Sequence, residues 1–411
     1  MANDRPPAFI LGLGENGYGI LRSLVRAGVA VTGFYGKPEE FGRHSKYGET
    51  HHLPPSLDGE RVCRMLIEWG ARAGGRPVLF PTSDHYAAFL AQNGDRLSPH
   101  FSFHWVDGAS MQRIVDKASM SGICREAGVL TPRTHIVGPE QDLVELAAGL
   151  AYPCLVKPNR TFDTPFPARR KTFVATSPAE LLAFYREHPA LKGTTICQEI
   201  IEGGDENIFQ CTVLIRQSGE TGAVFCARKL HQYQPGYGVM CFGRSEENDV
   251  LAAQTLRLLR CLRYRGLASL EFKYQAKNGQ YYFIELNPRL PWYNGLFADA
   301  GVNLAHLTHL DLLGIDPPPP AGQRDGVHWV SVKEDLGWFF RTRRAGRAGL
   351  WHWLRSLSRA RSFAWWTLAD PVPALSAGLH LLGQAFHRST PPPPAGSRTV
   401  SAALTPTARG A

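Results

Sequence analysis

The sequence predicts an α/β protein. A parallel, Rossmann-like sheet comes first, then an α+β body built on antiparallel strands, then a helical C-terminal appendage. Three observations predict it. Ala8-Phe-Ile-Leu-Gly-Leu-Gly reads as a strand running into a Gly-rich turn, and strand and helix patterns alternate from there to about residue 105. Ala268–Tyr274 and Tyr281–Asn287 are strand patterns joined by Lys277-Asn278-Gly279, the composition of a hairpin turn. Residues 338–366 hold five of the nine tryptophans and seven arginines without an acid, a composition unlike the rest of the chain.

The elements follow in order. Gly17 to Gly28 reads as a helix with Ile20, Leu21, Leu24 and Val25 on one face. Val29–Phe34 and Val78-Leu-Phe-Pro-Thr are further strands. Asp116-Lys-Ala-Ser opens a helix that ends near Gly128. Pro153–Pro158 and Thr195–Ile201 are strands, the second followed by Gly203-Gly204. Ile208–Arg216 and Gly222–Lys229 form a strand pair, and Asp249–Tyr264 is a helix. A Pro run at 317–320 closes this body. These readings divide the chain into 1–105 (Rossmann-like), 106–330, 331–389 (basic, Trp-rich, helical) and a Pro/Ser/Thr/Ala-rich tail at 390–411 that reads as disordered.

Composition bounds the class. With 411 residues, 44% hydrophobic and 20% charged, the chain is long enough for two or three packed domains. No run of about 18 apolar residues marks a membrane span. Met1-Ala-Asn-Asp-Arg-Pro-Pro lacks the basic and apolar regions of a secretory signal. Eight cysteines stand singly, without a Cys-x-x-Cys pair, as buried thiols of a reducing, cytoplasmic compartment do. The net charge of +9 belongs to one end: residues 1–337 hold 35 basic and 35 acidic side chains. A neutral body with a basic appendage suits a local anionic partner rather than a nucleic-acid coat, and no nucleic acid is expected.

Gly12-Leu-Gly14-Glu-Asn-Gly17 satisfies G-x-G-x-x-G. A dinucleotide site needs an acid at the end of the second strand, and Thr32-Gly33-Phe34-Tyr35-Gly36-Lys37 supplies none. The motif is therefore read as a tight strand–helix turn with no dinucleotide, whose helix N-terminus can contact a carboxylate or phosphate of the substrate. His51-His52 lie on a strand, where neighbours point to opposite faces, and are read as structural rather than metal ligands.

The chemistry-bearing residues lie far apart. Lys117 opens a helix and Lys157 ends a short strand; Gln198-Glu-Ile-Ile-Glu-Gly-Gly-Asp-Glu follows about 40 residues later. Glu271 and Glu285 sit on paired strands, and Glu285 heads Glu-Leu-Asn-Pro-Arg. This set suits a nucleoside triphosphate. Lysines offset phosphate charge, and Mg²⁺ wants a few hard oxygens beside those of the phosphates. Glu271, Glu285 and Asn287 provide them, and Arg289 can stabilise a transferring phosphoryl group. No G-x-x-x-x-G-K-[ST] is present, so the protein is not a P-loop protein.

Over residues 8–315 the sequence resembles the ATP-grasp superfamily, nearest its carboxylate–amine ligase branch that includes D-aspartate ligase. The matches are Phe80-Pro-Thr-Ser-Asp84, Asp116-Lys117, Leu155-Val-Lys157-Pro, Gln198-Glu-Ile-Ile-Glu-Gly, Arg228-Lys229-Leu, Leu270-Glu271-Phe-Lys273 and Ile284-Glu285-Leu-Asn287-Pro-Arg289. The resemblance implies a Rossmann-like domain before an ATP-grasp fold with a lid at about 150–210. It implies that Lys117 and Lys157 bind ATP phosphates. Gln198, Glu199, Ile200 and Ile201 line the adenine, and Asp205 or Glu206 holds the ribose. Glu271, Glu285 and Asn287 bind two Mg²⁺ ions, for which Mn²⁺ can substitute. Lys229 and Arg289 stabilise an acyl phosphate and the tetrahedral intermediate that follows amine attack. The implied function is ATP-dependent amide formation between a carboxylate and an amine, on a small molecule or a cell-envelope or polysaccharide precursor. Another ATP-grasp reaction, carboxylation or carbamate phosphorylation, and a non-catalytic nucleotide-binding scaffold at a membrane remain as alternatives. One departure stands out. The loop Asn159–Lys171, which covers phosphates in the family and is usually Gly-rich, contains no glycine.

Three secondary candidates remain. His231 lies near Lys229, and Asp84 and His85 follow a strand of the first domain; each is read either as a substrate contact or as structural, with Ser83 or Asp84 as a helix N-cap. Placed on one helix, Leu350, Trp353, Leu354, Leu357, Ala360 and Ala364 share a face, opposite His352, Arg355, Arg359 and Ser362, while Trp351 and Arg361 break the pattern. A second apolar helix is expected over Ala374–Phe386. Such a basic, Trp-bearing helix fits either peripheral contact with the inner, anionic membrane face or packing on the body.

Overall fold

The computed structural model describes residues 5–53, 59–104, 106, 108–138, 142–159, 172–234, 236, 238–317, 322–344 and 349–379. The expected tail at 390–411, the end of the second apolar helix and residues 160–171 of the glycine-less loop lie outside these.

Three sheets organise the chain. The first is parallel, in the order β3-β2-β1-β4, from β1 (Ala8–Leu11), β2 (Val31–Tyr35), β3 (Glu49–His52) and β4 (Val78–Pro81). Helices α1 (Glu15–Arg26), α2 (Gly59–Arg72) and α3 (Asp84–Leu97) connect and cover it. The second is antiparallel, in the order β5-β8-β6-β7, from β5 (Thr134–Ile136), β6 (Cys154–Pro158), β7 (Phe173–Ala175) and β8 (Thr195–Glu199). Helices α4 (Gly108–Val115) and α5 (Lys117–Glu126) precede it, and α6 (Leu143–Gly149) and α7 (Pro178–Glu187) lie within it. The third has seven strands in the order β13-β12-β9-β10-β11-β14-β15: β9 (Ile208–Ile215), β10 (Thr221–Tyr233), β11 (Val239–Ser245), β12 (Gly266–Gln275), β13 (Gln280–Asn287), β14 (His328–Val330) and β15 (Ala360–Phe363). It carries α8 (Asp249–Cys261), α9 (Gly295–Asp299), α10 (Leu304–Leu312), α11 (Val332–Arg344) and α12 (Leu350–Ser358).

Local sequence accounts for most of these elements. Asp116 and Asn248 cap α5 and α8 by accepting from Ser119 N and Leu251 N. Ser83 rather than Asp84 caps α3, accepting from Tyr86 N. Strand β9 (IFQCTVLI) is buried along its whole length, as a central strand covered on both faces must be.

The Gly-rich turn is packed by the chain itself. A Cβ on Gly17 would lie 1.8 Å from Gly12 O, and one on Gly19 would lie 2.6 Å from Asn294 Oδ1, in the segment after β13. The carboxylate found at this turn is the chain's own rather than a substrate's. Glu40 accepts from Leu13 N at 2.5 Å and from Gly36 N and Lys37 N at 3.1 Å. His51 packs against Trp69 with ring centroids 3.7 Å apart and the planes tilted by 36°, and no cluster of three potential metal ligands occurs among the described residues.

The C-terminal region departs from the single helix expected over 350–364. Helix α12 stops at Ser358, and Ala360–Phe363 pairs in parallel with β14. Strand alternation then exposes Arg361 and buries Ser362, which explains why Arg361 broke the helical pattern. An open edge at β14 offers unpaired backbone groups, and satisfying them outweighs the weak helical periodicity. The region packs on the body as well. Arg22 of α1 donates to Phe363 O (2.8 Å) and Trp366 O (3.3 Å), and buried Asp370 accepts from Ser45 Oγ (2.6 Å) and Tyr18 OH (3.2 Å).

Candidate active site

The second and third sheets face each other across a cleft of about 690 Å³, within the range of small-molecule sites. Eleven of the sequence-derived candidates line it: Lys117, Lys157, Gln198, Glu199, Ile200, Ile201, Lys229, Glu271, Glu285, Asn287 and Arg289.

The hairpin β12–β13 sets the acidic floor. Its register places Glu271 directly opposite Glu285 and Ser269 opposite Asn287, with a bulge just after Glu271. The next strand contributes Gln210, opposite Glu271, whose Nε2 donates to Glu271 Oε2 at 2.8 Å. Lys229 Nζ, from β10, lies 2.6 Å from the same oxygen. Water reaches Glu285 from the cleft, but the rest of its surroundings are protein. Burial alone would raise its pKa. The Asn287 amide, which donates to its Oε1 at 3.1 Å, and the charges of Lys229, Lys117 and Lys157 outweigh that and hold it below the usual carboxylate value.

The two remaining lysines come from the other wall. Lys117 Nζ donates to Pro158 O (3.0 Å) and Asn159 O (3.1 Å), while Asn159 Nδ2 donates to Asp116 Oδ2 (2.7 Å). The Asp116-Lys117 pair thus locks the start of α5 to the end of β6. Lys157 is buried. Loss of water, then the neighbouring charge of Lys117, pushes its ammonium down to about 8, against the pull of Glu285 and Glu271. Burial also lowers Lys117. Such a basic pair, costly without a counterion, is a ready seat for phosphate oxygens.

At the far end of the cleft, Gln198 Nε2 donates to Thr134 Oγ1 (2.8 Å), and the Glu199 carboxylate accepts from Arg133 N (3.2 Å). The backbone groups of Ile200 and Ile201 have no hydrogen-bond partner among the described residues. Leu155, Ile208, Phe283 and Leu286 add apolar walls. A flat heterocycle with a polar edge fits such a slot.

Asp205 and Glu206 do not line the cleft. The Asp205 carboxylate instead accepts from Gln232 N (3.2 Å), Gln232 Nε2 (2.8 Å) and Gly236 N (2.9 Å), and so pins the turn after β10. Glu206 is exposed. The ribose role expected of one or the other has no support in this geometry. His231 is likewise turned away. It stacks on Trp338 at 3.5 Å and its Nδ1 lies 2.6 Å from Asp335 Oδ1. Of the pair Asp84 and His85, only Asp84 lines the cleft.

Gln210, Lys273 and Trp292 are among the lining residues that carried no sequence-derived role. Gln210 was signalled by a polar side chain within an otherwise apolar strand. Lys273 belongs to the quoted Leu-Glu-Phe-Lys block; its Nζ donates to Gly203 O (2.7 Å) and Gly204 O (2.6 Å), holding the turn after Ile201. Trp292, after Arg289, had no local signal.

Glu271, Glu285 and Asn287 offer hard oxygen donors with Glu285 held ionised, which is the donor set a Mg²⁺ shared with phosphates requires.

Residues 243–307 match the family described as carbamoyl-phosphate synthase L chain, ATP binding domain. Over 317 residues the chain is 23% identical to D-aspartate ligase of Enterococcus faecium (strain Aus0004), covering 74% of this chain and 75% of that protein. Among solved structures, it is similar to the biotin carboxylase domain of Hydrogenobacter thermophilus 2-oxoglutarate carboxylase, determined with MgADP, ADP and bicarbonate. There the TM-score is 0.61 at 16% identity, covering 79% of this chain and 74% of that one. It is also similar to L-amino acid ligase from Bacillus licheniformis, with a TM-score of 0.57 at 17% identity, covering 79% and 78%. At these identities the structural likeness is one of fold.

Proposed function

We propose that this chain, which has the ATP-grasp fold and is a homologue of D-aspartate ligase, joins a carboxylate to an amine at the expense of ATP. The observation that carries the proposal is the meeting of Lys117, Lys157 and Lys229 with Glu271 and Glu285 at one end of an apolar cleft. The free backbone of Ile200–Ile201 at the other end suits adenine. Lys117 and Lys157 hold the phosphates. Two Mg²⁺ ions at Glu271, Glu285 and Asn287 would neutralise charge on the β- and γ-phosphates.

In the first step a carboxylate oxygen of the acid attacks the γ-phosphorus; the bond to the β-phosphate oxygen breaks, and ADP leaves with that electron pair. In the second, the amine attacks the acyl-phosphate carbon, loses a proton and expels phosphate. Lys229 and Arg289 stabilise the oxyanions of both steps. An acid or amine drawn from cell-envelope or polysaccharide precursors, and peripheral contact of the C-terminal region with an anionic membrane, are the finer parts of the proposal.

The test is the thermal midpoint with and without Mg·ATP, in wild type and in Glu285→Gln. Ligand at about 100 times its Kd adds roughly 2.7 kcal/mol to a protein that binds it only when folded. A metal-dependent upshift lost in Glu285→Gln supports the site, and ADP release coupled to amide formation then separates ligation from carboxylation and from a silent scaffold. No upshift in wild type overturns the proposal.

A further inference from the structure

We propose that residues 332–344 and 349–379 form a defined docking face for an anionic lipid surface, made of exposed apolar side chains interleaved with arginines. It rests on the membrane-contact part of the reading above and is independent of the chemistry of the cleft.

Sixteen large apolar side chains are exposed among the described residues, and eleven of them lie in 332–379. On α11, Val332, Leu336 and Phe340 recur every fourth residue and share a face. On α12, Leu350, Trp351 and Leu354 are exposed, Trp351 at 83%. Trp366 and Leu368 follow, then Val372, Leu375 and Leu379 along the helical stretch 372–379. A single exposed leucine is ordinary; a concentration of this kind in one segment is not.

The charges sort the opposite way. The three acids of the segment, Glu334, Asp335 and Asp370, are all buried. Asp335 is held inside by His231 Nδ1 (2.6 Å) and Trp353 Nε1 (2.8 Å). Arg341, Arg343, Arg344, Arg355, Arg359 and Arg361 are all exposed. None of the six is in an ion pair among the described residues. Helices α11 and α12 pack on each other through the Phe339 and Trp353 rings, stacked at 4.8 Å.

This pairing of chemistries selects the occupant. A second copy on the same face would set these six arginines against six more. Nucleic acid would neutralise the arginines but leave the leucines and valines in water. An anionic bilayer interface takes both: tryptophan and aliphatic side chains enter the headgroup boundary while guanidinium groups meet phosphates. No described helix is long and apolar enough to cross a membrane, so the contact is one of lying on the surface.

The experiment is flotation of the full chain with phosphatidylcholine vesicles, plain or containing about 30% phosphatidylglycerol, at about 0.1 M and about 1 M salt. Two variants accompany wild type: Trp351→Ser with Leu354→Ser, and Arg344→Gln with Arg355→Gln and Arg359→Gln. The Mg·ATP thermal shift, read on each, reports the fold and the cleft separately from the docking face. Wild type is expected to float with anionic vesicles at low salt only. The triple arginine variant is expected to lose roughly 100-fold in partitioning, about fivefold per charge. The apolar pair is expected to weaken binding at low salt, where wild type floats. Wild type that stays behind with anionic vesicles, equal flotation of all three proteins, or a concentration-dependent dimer abolished by Trp351→Ser without any vesicle binding would each overturn the inference.

Discussion

Arg289 and Asp84, 205 residues apart in the chain, form a bidentate ion pair, Nε to Oδ1 at 2.7 Å and Nη2 to Oδ2 at 3.0 Å. Asp84 opens α3 just after β4 of the parallel sheet, and Arg289 follows β13 of the large sheet. The pair joins the two sheets at the cleft and fixes the plane of the guanidinium, which also donates to Asn287 Oδ1 at 3.3 Å. Asp84 is therefore a positioning residue for the group proposed to stabilise the acyl phosphate.

Asp84→Asn keeps an acceptor but removes the charge and one arm of the fork. We expect turnover to fall on the order of 100-fold, with the Mg·ATP thermal shift unchanged, because a misplaced reacting group costs rate rather than nucleotide affinity. Single-turnover ADP release checks it. Unchanged turnover would remove the positioning role.

Lys157 carries a pH signature. Its folded-state value of about 8 lies below the 10.5 of an ordinary lysine, so between these values the folded chain binds fewer protons than the unfolded one. Stability conferred at this site therefore rises with pH across that window, and the buried ammonium destabilises the ligand-free protein below about 8. Lys157→Met should raise the ligand-free unfolding free energy at neutral pH by roughly 1–3 kcal/mol and abolish the Mg·ATP shift. In wild type, Mg·ATP affinity should decline as pH rises through about 8, read by calorimetric titration.

Asp370 ties the C-terminal region to the first sheet through Ser45 Oγ, Tyr18 OH and, at 3.3 Å, Lys46 N. Asp370→Ala removes the buried acceptor that these donors share and should lower stability by roughly 2–4 kcal/mol, seen as a drop in the urea midpoint. Tyr18→Phe, which removes one donor and leaves the carboxylate its others, should cost about 1 kcal/mol.

Seven of the eight cysteines are buried and Cys261, at the end of α8, is exposed. A maleimide reagent should label one thiol per folded chain and eight after denaturation. Fast labelling of a second thiol in the native protein would show that one of the buried cysteines opens to solvent.

Much of the site was legible because its signals are local. Alternation along β12 and β13, with a hairpin turn between them, is enough to pair the strands that carry Glu271 and Glu285, while the bulge after Glu271 brings the two directly opposite each other. Capping chemistry is enough to start α5 at Asp116-Lys117. The basic, Trp-rich composition of 338–366 set that region apart, although its helical wheel misplaced Ala360 and Ser362.

The amino-acid sequence by itself determined the α/β class, the strand pair that carries the carboxylates and the lysines that face them. Each of these follows from period, turn composition or a motif within a few residues. Only the tertiary structure decided the rest: that Asp84 fixes Arg289, that Asp205 is consumed by Gln232 and Gly236, that Lys157 is starved of water, and that Ala360–Phe363 extends a sheet. Those outcomes depend on which backbone edges and charges are left unsatisfied once distant segments meet. Desolvation and long-range pairing set that balance, and no short window of sequence contains it.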